Sequence, residues 1–232
     1  MGIFDIFKKK KTKEQSVSTL PNFTYTEEQL AMFYEHIEKH FGEIEGIVNT
    51  IPVPGVSLDI AIVPPTEQNN YYKCITMGMG AYRMNVPESI AEYQLERAEL
   101  VVFLPPEWDV KSQESRYVWP LLAMANASMV PADNDMWIGA GQTIMGDAND
   151  NPYDPSTGFC SMLMFSALDK DFEKMDLEMA GLGKINFYQM MPLYPEEMDY
   201  KRRYDMNKLI DRFEDKDLLP IVNNDRKNYG IE

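Results

Sequence analysis

Two apolar runs that each end in a pair of prolines are the features that most constrain the fold of this chain. The runs are VSLDIAIVPP at residues 56–65 and RAELVVFLPPEW at residues 97–108. Between Leu58 and Ile62, every second residue is a large aliphatic one, which predicts a strand with one well-buried face. Because proline lacks the N–H that a sheet requires, Pro64 and Pro65 should end that strand. Both runs therefore predict strands of a buried sheet.

Helical and extended patterns alternate along the rest of the chain. Further strand candidates are YYKCITMGMG, MWIGAGQTI, FCSMLMF and KINFYQMMPLY. Helix candidates are TEEQLAMFYEHIEKHFG, SQESRYVWPLLAMANASM and PEEMDYKRRYDMNKLIDRFE. The chain shows no internal repeat and no second composition regime. We therefore predict an α+β fold, a single domain with a mixed, mainly antiparallel sheet flanked by helices.

Capping signals predict where the helices begin and end. Thr26 and Gln29 have the spacing of a capping box, and Gly42 suits the residue that follows a helix. Pro195 suits the first position of the last helix. The apolar spacing of that helix falters near Asp205, so we expect two consecutive helices there.

Charge divides the 232-residue chain into a short basic segment and an acidic body. We predict a basic leader and linker over residues 1–22 and one domain over residues 23–232. The formal net charge of the whole chain is −15, and residues 1–13 carry +4, which leaves −19 on the rest. Such a body should repel nucleic acid, whose binding depends on cationic contacts to phosphates. The leader has too few apolar residues for a secretory signal or for stable membrane insertion.

The two cysteines point to a reducing compartment. Cys74 and Cys160 lie inside apolar runs and form no CxxC motif. This usage is typical of free, buried thiols and not of a disulfide framework. We therefore predict a cytoplasmic protein.

A long stretch without basic residues is the strongest electrostatic feature of the body. Between Tyr117 and Asp169 the sequence contains no lysine or arginine. A basic protein partner would be steered toward such a field. The alternative is that the negative charge serves solubility only. The candidate partner-binding residues are Asp133, Asp135, Trp137, Asp147, Asp150 and Asp154.

No motif predicts a catalytic, cofactor-binding or metal-binding site. His36 and His40 lack the glutamate position of H-E-x-x-H, and on a helix they should flank the polar side in solvated or rim positions. GMGAYR and AGLGKI fail the dinucleotide and phosphate-loop patterns, and DANDNPYD departs from a calcium loop at two positions. We predict that the protein is not an enzyme and needs no cofactor. The alternative is a hydrolase or metal-dependent enzyme that uses acidic residues near Trp137 to Asp154.

Arg97 and Glu99 form a second charged feature, at the start of the run ELVVFL. Residues two apart in a strand share a face. We expect this pair to be partly buried and to match its charges there.

The segment MPLYPEEMDYK, from Met191 to Lys201, places two prolines and two glutamates directly after an apolar run. Pro192 should limit the strand, and Pro195 should start the helix with acidic residues in its first turn. The segment contains no histidine, serine or cysteine, so we interpret it as a strand-to-helix junction and not as a catalytic loop.

Several blocks together resemble the suppressor of fused domain family, of the bacterial stand-alone type. They are LDIAIVPPTEQNNYYKCITMGM, RAELVVFLPPEW, WPLLAMA, GQTI and NFYQMMPLYPEEMDYK, and their order and spacing extend over roughly two-thirds of the chain. Where the family usually has Gly-His-Thr-Ile, this chain has Gln142, which cannot act as an acid or base near neutral pH. The family-motif positions are Asp59, Pro64, Pro65, Tyr72, Gly78, Met79, Arg97, Glu99, Trp108, Trp119, Pro120, Gly141, Thr143, Pro192, Leu193, Tyr194 and Glu197.

The resemblance implies a protein-binding function. Eukaryotic relatives sequester a transcription factor and carry a second domain for which this chain looks too short. Stand-alone bacterial relatives are regarded as immunity proteins that neutralise toxins of polymorphic toxin systems. The resemblance thus implies a cytoplasmic protein without catalysis, whose partner is a toxin domain, and the acidic body suits a basic one.

Overall fold

The computed structural model describes residues 23–49, 58–168, 174–214 and 220–231. The predicted leader at residues 1–22 lies outside these ranges, so the proposed domain boundary stays a prediction. The elements are α1 (Glu27–His40), β1 (Gly46–Asn49), β2 (Asp59–Val63), β3 (Tyr72–Met77), β4 (Ala98–Leu104), α2 (Ser115–Asn134), β5 (Thr143–Met145), β6 (Ser161–Ser166), β7 (Leu177–Met179), β8 (Gly183–Leu193), α3 (Pro195–Arg203) and α4 (Met206–Ile210).

All eight strands belong to one mixed sheet. Seven of them follow the order β1-β2-β3-β4-β8-β6-β5, and β7 pairs with the beginning of β8. Strands β4 and β8 run parallel, whereas the other strand pairs are antiparallel. With helices packed against the sheet, this architecture confirms the predicted fold class.

Helices pack on both faces of the sheet. On one face, α2 packs over even-numbered residues of the central strands, such as Leu100 and Met190. On the other face, α1 packs over odd-numbered residues such as Val101 and Phe187. A third cluster, around Leu193, joins the end of β8 to α4 on that same face. Strand β2 is therefore buried on both of its faces, where the sequence had predicted only one.

The predicted helix ends agree with the structure. Thr26 and Gln29 form the reciprocal capping box of α1, and Gly42 follows the helix with a φ of +120°. Pro195 occupies the first turn of α3. The helical conformation is interrupted before Met206. The Asp205 side chain accepts the N–H of Lys208 and caps α4. The predicted pair of consecutive helices is thus confirmed.

Two strand predictions need correction. In MWIGAGQTI only the last two residues are extended, because Gly141 adopts a φ of +85° and the Gln142 side chain accepts the N–H of Gly139 in a turn. Pro192 does not limit β8, which continues through it to Leu193. In a strand, the backbone nitrogen and the carbonyl of one residue point to the same edge of the strand. The Pro192 carbonyl accepts from Arg226 and not from a neighbouring strand, so the Pro192 nitrogen also points away from the sheet partners. Its missing N–H therefore removes no bond from the sheet.

Candidate partner-binding site

The junction between β8 and α3 is organised by one buried carboxylate. Glu197, the third residue of α3, accepts the backbone N–H of Tyr194 at 3.0 Å. It also accepts the N–H of Tyr229 at 2.9 Å, from a distant part of the chain. The Glu197 side chain is fully buried. The junction therefore holds the segment at residues 220–231 against the sheet.

Arg226 supplies the charge that Glu197 needs. Its two terminal nitrogens lie 2.6 Å and 2.7 Å from the two carboxylate oxygens, and one of them also donates to the Pro192 carbonyl at 3.0 Å. The guanidinium lies over four aromatic rings, those of Phe159, Tyr194, Phe213 and Tyr229. A buried arginine that binds a carboxylate through two nitrogens and stacks on aromatic rings strongly stabilises the segments that it joins. This supports the interpretation of the junction as architecture.

Next to the ion pair of Arg226 and Glu197, the parallel strands β4 and β8 separate at their carboxyl ends. Their pairing stops at Val101 and Gln189. Beyond that point, Ile221 forms a parallel bridge with Phe103, and the N–H of Val222 donates to the Phe103 carbonyl at 2.9 Å. A segment from much later in the chain thus occupies the edge of β4 that β8 has left.

A crevice of about 410 Å³ opens beside this segment. In sheets with parallel strands, ligands bind in the crevice outside the carboxyl ends of the strands. The volume also lies within the range of ordinary binding pockets. The walls come from the end of β4, the start of α2 and the 220–226 segment, and they include Glu107, Trp108, Arg116, Tyr117, Pro192 and Asp225.

Three carboxylates form an acidic surface near the crevice. Burial raises the pKa of the Cys160 thiol to about 11, and the charges of Asp150, Glu196 and Asp147 act in the same direction. The backbone of Cys160 brings their segments together, since its carbonyl accepts the N–H of Gly146, next to Asp147, and its N–H donates to the carbonyl of Leu193, three residues before Glu196. Asp147 also accepts two backbone N–H groups and the Asn151 amide, which fix the turn.

Asp225 connects this acidic surface to the crevice. The Tyr194 hydroxyl donates to the carbonyl of Arg226, the residue after Asp225, at 2.7 Å, and the Asn228 amide donates to the Glu196 carboxylate at 2.7 Å. Asp225 is exposed and lines the crevice. We call Asp147, Asp150, Glu196 and Asp225 the acidic rim.

The structure separates the other sequence-predicted partner residues from this rim. Asp154 is only 5% exposed and accepts the N–H of Ser156, so it serves its own turn. Asp133 and Asp135 are exposed at the far end of α2. At 1.5 Å per helical residue, Asp133 lies roughly 27 Å from the Ser115 end of that helix, where Asp154 is found. Trp137 is half-buried and packs against the core.

Sequence reasoning missed Glu196, Asp225 and Arg226 as parts of this region. Glu196 had been considered only as a helix-capping charge. Asp225 and Arg226 follow no periodic or motif pattern. A signal does exist, because a lone arginine in an acidic body needs a carboxylate partner if it is buried.

The remaining family-motif residues fix the backbone. Gly78 has a φ of +116°, and a Cβ there would lie 2.1 Å from the Phe23 carbonyl oxygen. The Trp108 indole N–H donates to the Tyr117 carbonyl at 2.9 Å, and the Trp119 ring stacks on Tyr153. Elsewhere, Asp59 and Tyr72 begin strands, Pro64 and Pro65 follow β2, Met79 and Pro120 are buried, and Gly141 and Thr143 form the turn and first residue of β5.

The expected match between Arg97 and Glu99 is wrong. The described residues contain no ion pair between them. Glu99 is fully buried and accepts hydrogen bonds from the Tyr25 hydroxyl and from the N–H groups of Gly78 and Gly80. Arg97 donates to the backbone carbonyls of Gly80 and Ala81. Both side chains therefore hold one loop through its backbone. Burial raises the pKa of Glu99 to about 7.

The expectation for His36 is also wrong, since the side chain is only 8% exposed. Its Nε2 lies 3.0 Å from the Met175 carbonyl oxygen, and its ring packs on Phe187. Burial lowers the pKa of His36 to about 4. The sequence pattern failed because α1 is wedged between the sheet and the Met175 segment, so that part of its polar side is covered.

Within the described residues, no group of three or more histidine, cysteine, aspartate or glutamate side chains could hold a metal ion. No helix in those residues combines the length and apolarity needed to cross a membrane.

The fold and site define an α+β domain whose parallel strands β4 and β8 open into a crevice that Asp225 lines. A family model described as Suppressor of fused protein (SUFU) matches residues 55–227. The chain therefore belongs to the suppressor of fused family, as the motif blocks had indicated.

Two individual proteins are similar to this chain over most of its length. An uncharacterized protein of Ureaplasma parvum is 24% identical over 212 residues, which cover 90% of this chain and 98% of that protein. The crystal structure of a SUFU homolog from Neisseria gonorrhoeae has a TM-score of 0.56 at 12% identity, covering 88% of this chain and 96% of that one.

Two further structures share the fold. A chain in the crystal structure of the Sufu-Fu complex has a TM-score of 0.58 at 14% identity, covering 91% of this chain and 93% of that one. Drosophila Suppressor of Fused has a TM-score of 0.56 at 15% identity, covering 90% of this chain. This chain spans only 52% of the Drosophila structure.

Proposed function

We propose that this chain is a non-catalytic, cytoplasmic protein-binding domain that acts as an immunity protein by sequestering a basic toxin domain. The observation that carries the proposal is the acidic rim beside the crevice at the carboxyl ends of β4 and β8. Asp147, Glu196 and Asp225 are exposed and Asp150 is half-buried. On a chain of net charge −15, these carboxylates attract a cationic surface from a distance. The partly apolar crevice next to them supplies contacts that retain a partner.

The family supports a binding role. One structural relative was solved as a Sufu-Fu complex. The identity to that relative is too low to transfer a partner, so the toxin is proposed from the charge and from the resemblance to the bacterial stand-alone type. The enzyme alternative near Trp137 to Asp154 gains no support from the geometry. In that segment, Asp147 and Asp154 accept N–H groups of their own turns, and Asp150 has one buried carboxylate oxygen without a hydrogen-bond partner in the described part of the chain.

The rim can be tested by charge removal. We expect the variant Asp147→Asn, Asp150→Asn, Glu196→Gln to bind the native partner with an on-rate reduced roughly tenfold at low salt. Its on-rate should also depend less steeply on salt, while its off-rate changes less. The partner is first isolated by pull-down from native cells, and association is then measured over a salt series.

The matched control removes equal charge from elsewhere. Glu35, Glu38 and Glu67 are exposed residues on or near α1, and their triple glutamine variant should keep most of the native on-rate. If both variants lower the on-rate equally, the acidic rim has no special role and only the overall negative charge steers the partner. Toxin identity is tested separately by co-expression. A captured partner that does not impair growth when expressed without this chain would contradict the immunity role and leave the binding role standing.

A further inference from the structure

The sheet face that carries α1 has a gap between its two covered regions. Along β8, side chains alternate between faces, so odd-numbered residues share this one. Ile185 and Phe187 lie in the cluster under α1, and Met191 and Leu193 lie in the cluster with α4. Gln189 stands between them on the same face and belongs to neither cluster. A polar residue thus occupies the one position of this row that lies between the two clusters.

A pocket of about 410 Å³ fills this gap. Its described lining residues include Lys39 and His40 at the end of α1, Lys73 on β3, and the apolar side chains of Phe103 and Leu168. Among the described lining residues there is no aspartate or glutamate. The pocket combines positive charge with an apolar wall.

Two buried groups point to a ligand that accepts hydrogen bonds. Gln189 is 8% exposed, and its Nε2 is buried without a partner among the described residues. A buried donor without an acceptor is unfavourable. Lys73 is 4% exposed, and its ammonium donates to the Phe41 carbonyl at 2.5 Å. Because an ammonium has three N–H groups, it can serve a further acceptor.

The charge of the ligand follows from the surroundings. Lys73 and Lys39 favour an anion. The carboxyl end of α1 is also present at Lys39 and His40, and its negative dipole opposes any anion, about twice as strongly for a doubly charged group as for a singly charged one. The two lysines must outweigh this effect, which favours a single charge. An exposed Leu168, with 43% of its surface accessible, offers a wall for an apolar chain.

We propose that this pocket binds a small organic monocarboxylate, whose oxygens accept from Gln189 and Lys73 while its apolar part contacts Phe103 and Leu168. This site lies on the α1 side of the sheet and does not depend on the proposed immunity function.

The test uses hexanoate as the probe and its neutral analogue hexanamide as the chemical control. Binding to the native chain is followed through the side-chain amide signals of ¹⁵N-labelled protein, among which Gln189 is assigned by its loss in Gln189→Leu. We expect hexanoate to shift the Gln189 signals saturably, with a dissociation constant of roughly 1 mM. Hexanamide should bind at least about tenfold more weakly, since it lacks the charge.

Lysine variants locate the site. Lys73→Gln should weaken hexanoate binding about tenfold, and the exposed Lys39→Gln about threefold. Lys111→Gln, an 85%-exposed lysine outside this pocket, is the matched control and should leave binding unchanged. If Lys73→Gln does not fold, the proposal is tested by Lys39→Gln and by the comparison of hexanoate with hexanamide on the native chain. Absence of a saturable shift, or equal binding of hexanamide, would overturn the proposal. Tighter binding of inorganic phosphate than of hexanoate would overturn the monocarboxylate assignment.

Discussion

Replacing Arg226 with alanine is expected to lower the free energy of unfolding by about 3–5 kcal/mol. The Arg226 and Glu197 side chains are 4% and 0% exposed, so the change leaves a buried carboxylate without its countercharge. It also removes the group on which four aromatic rings pack. The measurement is equilibrium urea unfolding, with the change taken from the midpoint at constant slope.

Two variants serve as controls for this prediction. Arg202→Ala removes an arginine whose contact with Asp199 is solvent-exposed, and should cost less than about 1 kcal/mol. Arg226→Lys keeps the charge but loses the planar, bidentate contact, and should fall between the two. A loss below about 1 kcal/mol in Arg226→Ala would show that the 220–231 segment does not fasten the sheet.

Glu99→Gln is expected to change how stability depends on pH between about pH 4.5 and 7. The pKa of Glu99 is raised by burial from 4.5 to about 7. As pH rises through this window, the unfolded chain releases its proton before the folded chain does. The native carboxyl therefore contributes stability that is present below pH 4.5 and lost by about pH 7, an effect of about 3 kcal/mol. The variant should lack this loss.

His36 has the opposite effect over nearly the same window. Burial lowers its pKa from 6.5 to about 4, so the unfolded chain binds a proton first as pH falls. Its contribution to stability is present above pH 6.5 and lost as pH falls toward 4. The two groups offset each other in the native chain. We expect stability to rise more steeply with pH in Glu99→Gln, and less steeply in His36→Asn, than in the native chain.

Urea unfolding at several pH values between 4.5 and 7.5 tests both variants. Because each change also alters packing, the comparison uses slopes against pH and not absolute stabilities. A slope for Glu99→Gln that parallels the native slope would mean that Glu99 titrates near its ordinary pKa.

Local sequence patterns predicted most helices and strands, whereas contacts between residues far apart in sequence determine the geometry of the candidate site. The capping box at Thr26, the break at Asp205 and the main strands all follow from signals within a few residues. Glu99 was expected to be partly buried and is fully buried, and its partners Tyr25 and Gly78 come from other segments. Arg226 was not predicted for the same reason. The short strands β1 and β7 carry little pattern of their own and depend on their neighbours in the sheet.

The acidic surface shows the same division. Sequence correctly marked a stretch without cations, and Asp147 and Asp150 lie on the acidic rim. It could not show that Glu196 and Asp225 complete that rim, because the fold brings them together from two other segments. Nor could it show that α2 carries Asp133 and Asp135 to its far end.

The parallel pairing of β4 and β8 also bears on how fast the chain can reach its native state. Asn186 on β8 bonds the Arg97 carbonyl across 89 positions of sequence, and Tyr25 reaches Glu99 across 74. Such long-range closures must form before the centre of the sheet gains stability, so we expect this chain to fold slowly compared with proteins dominated by local contacts. During that delay the apolar edges of both strands stay open to other chains. A newly made molecule therefore passes through an aggregation-prone period, in which chaperones would have most to act on.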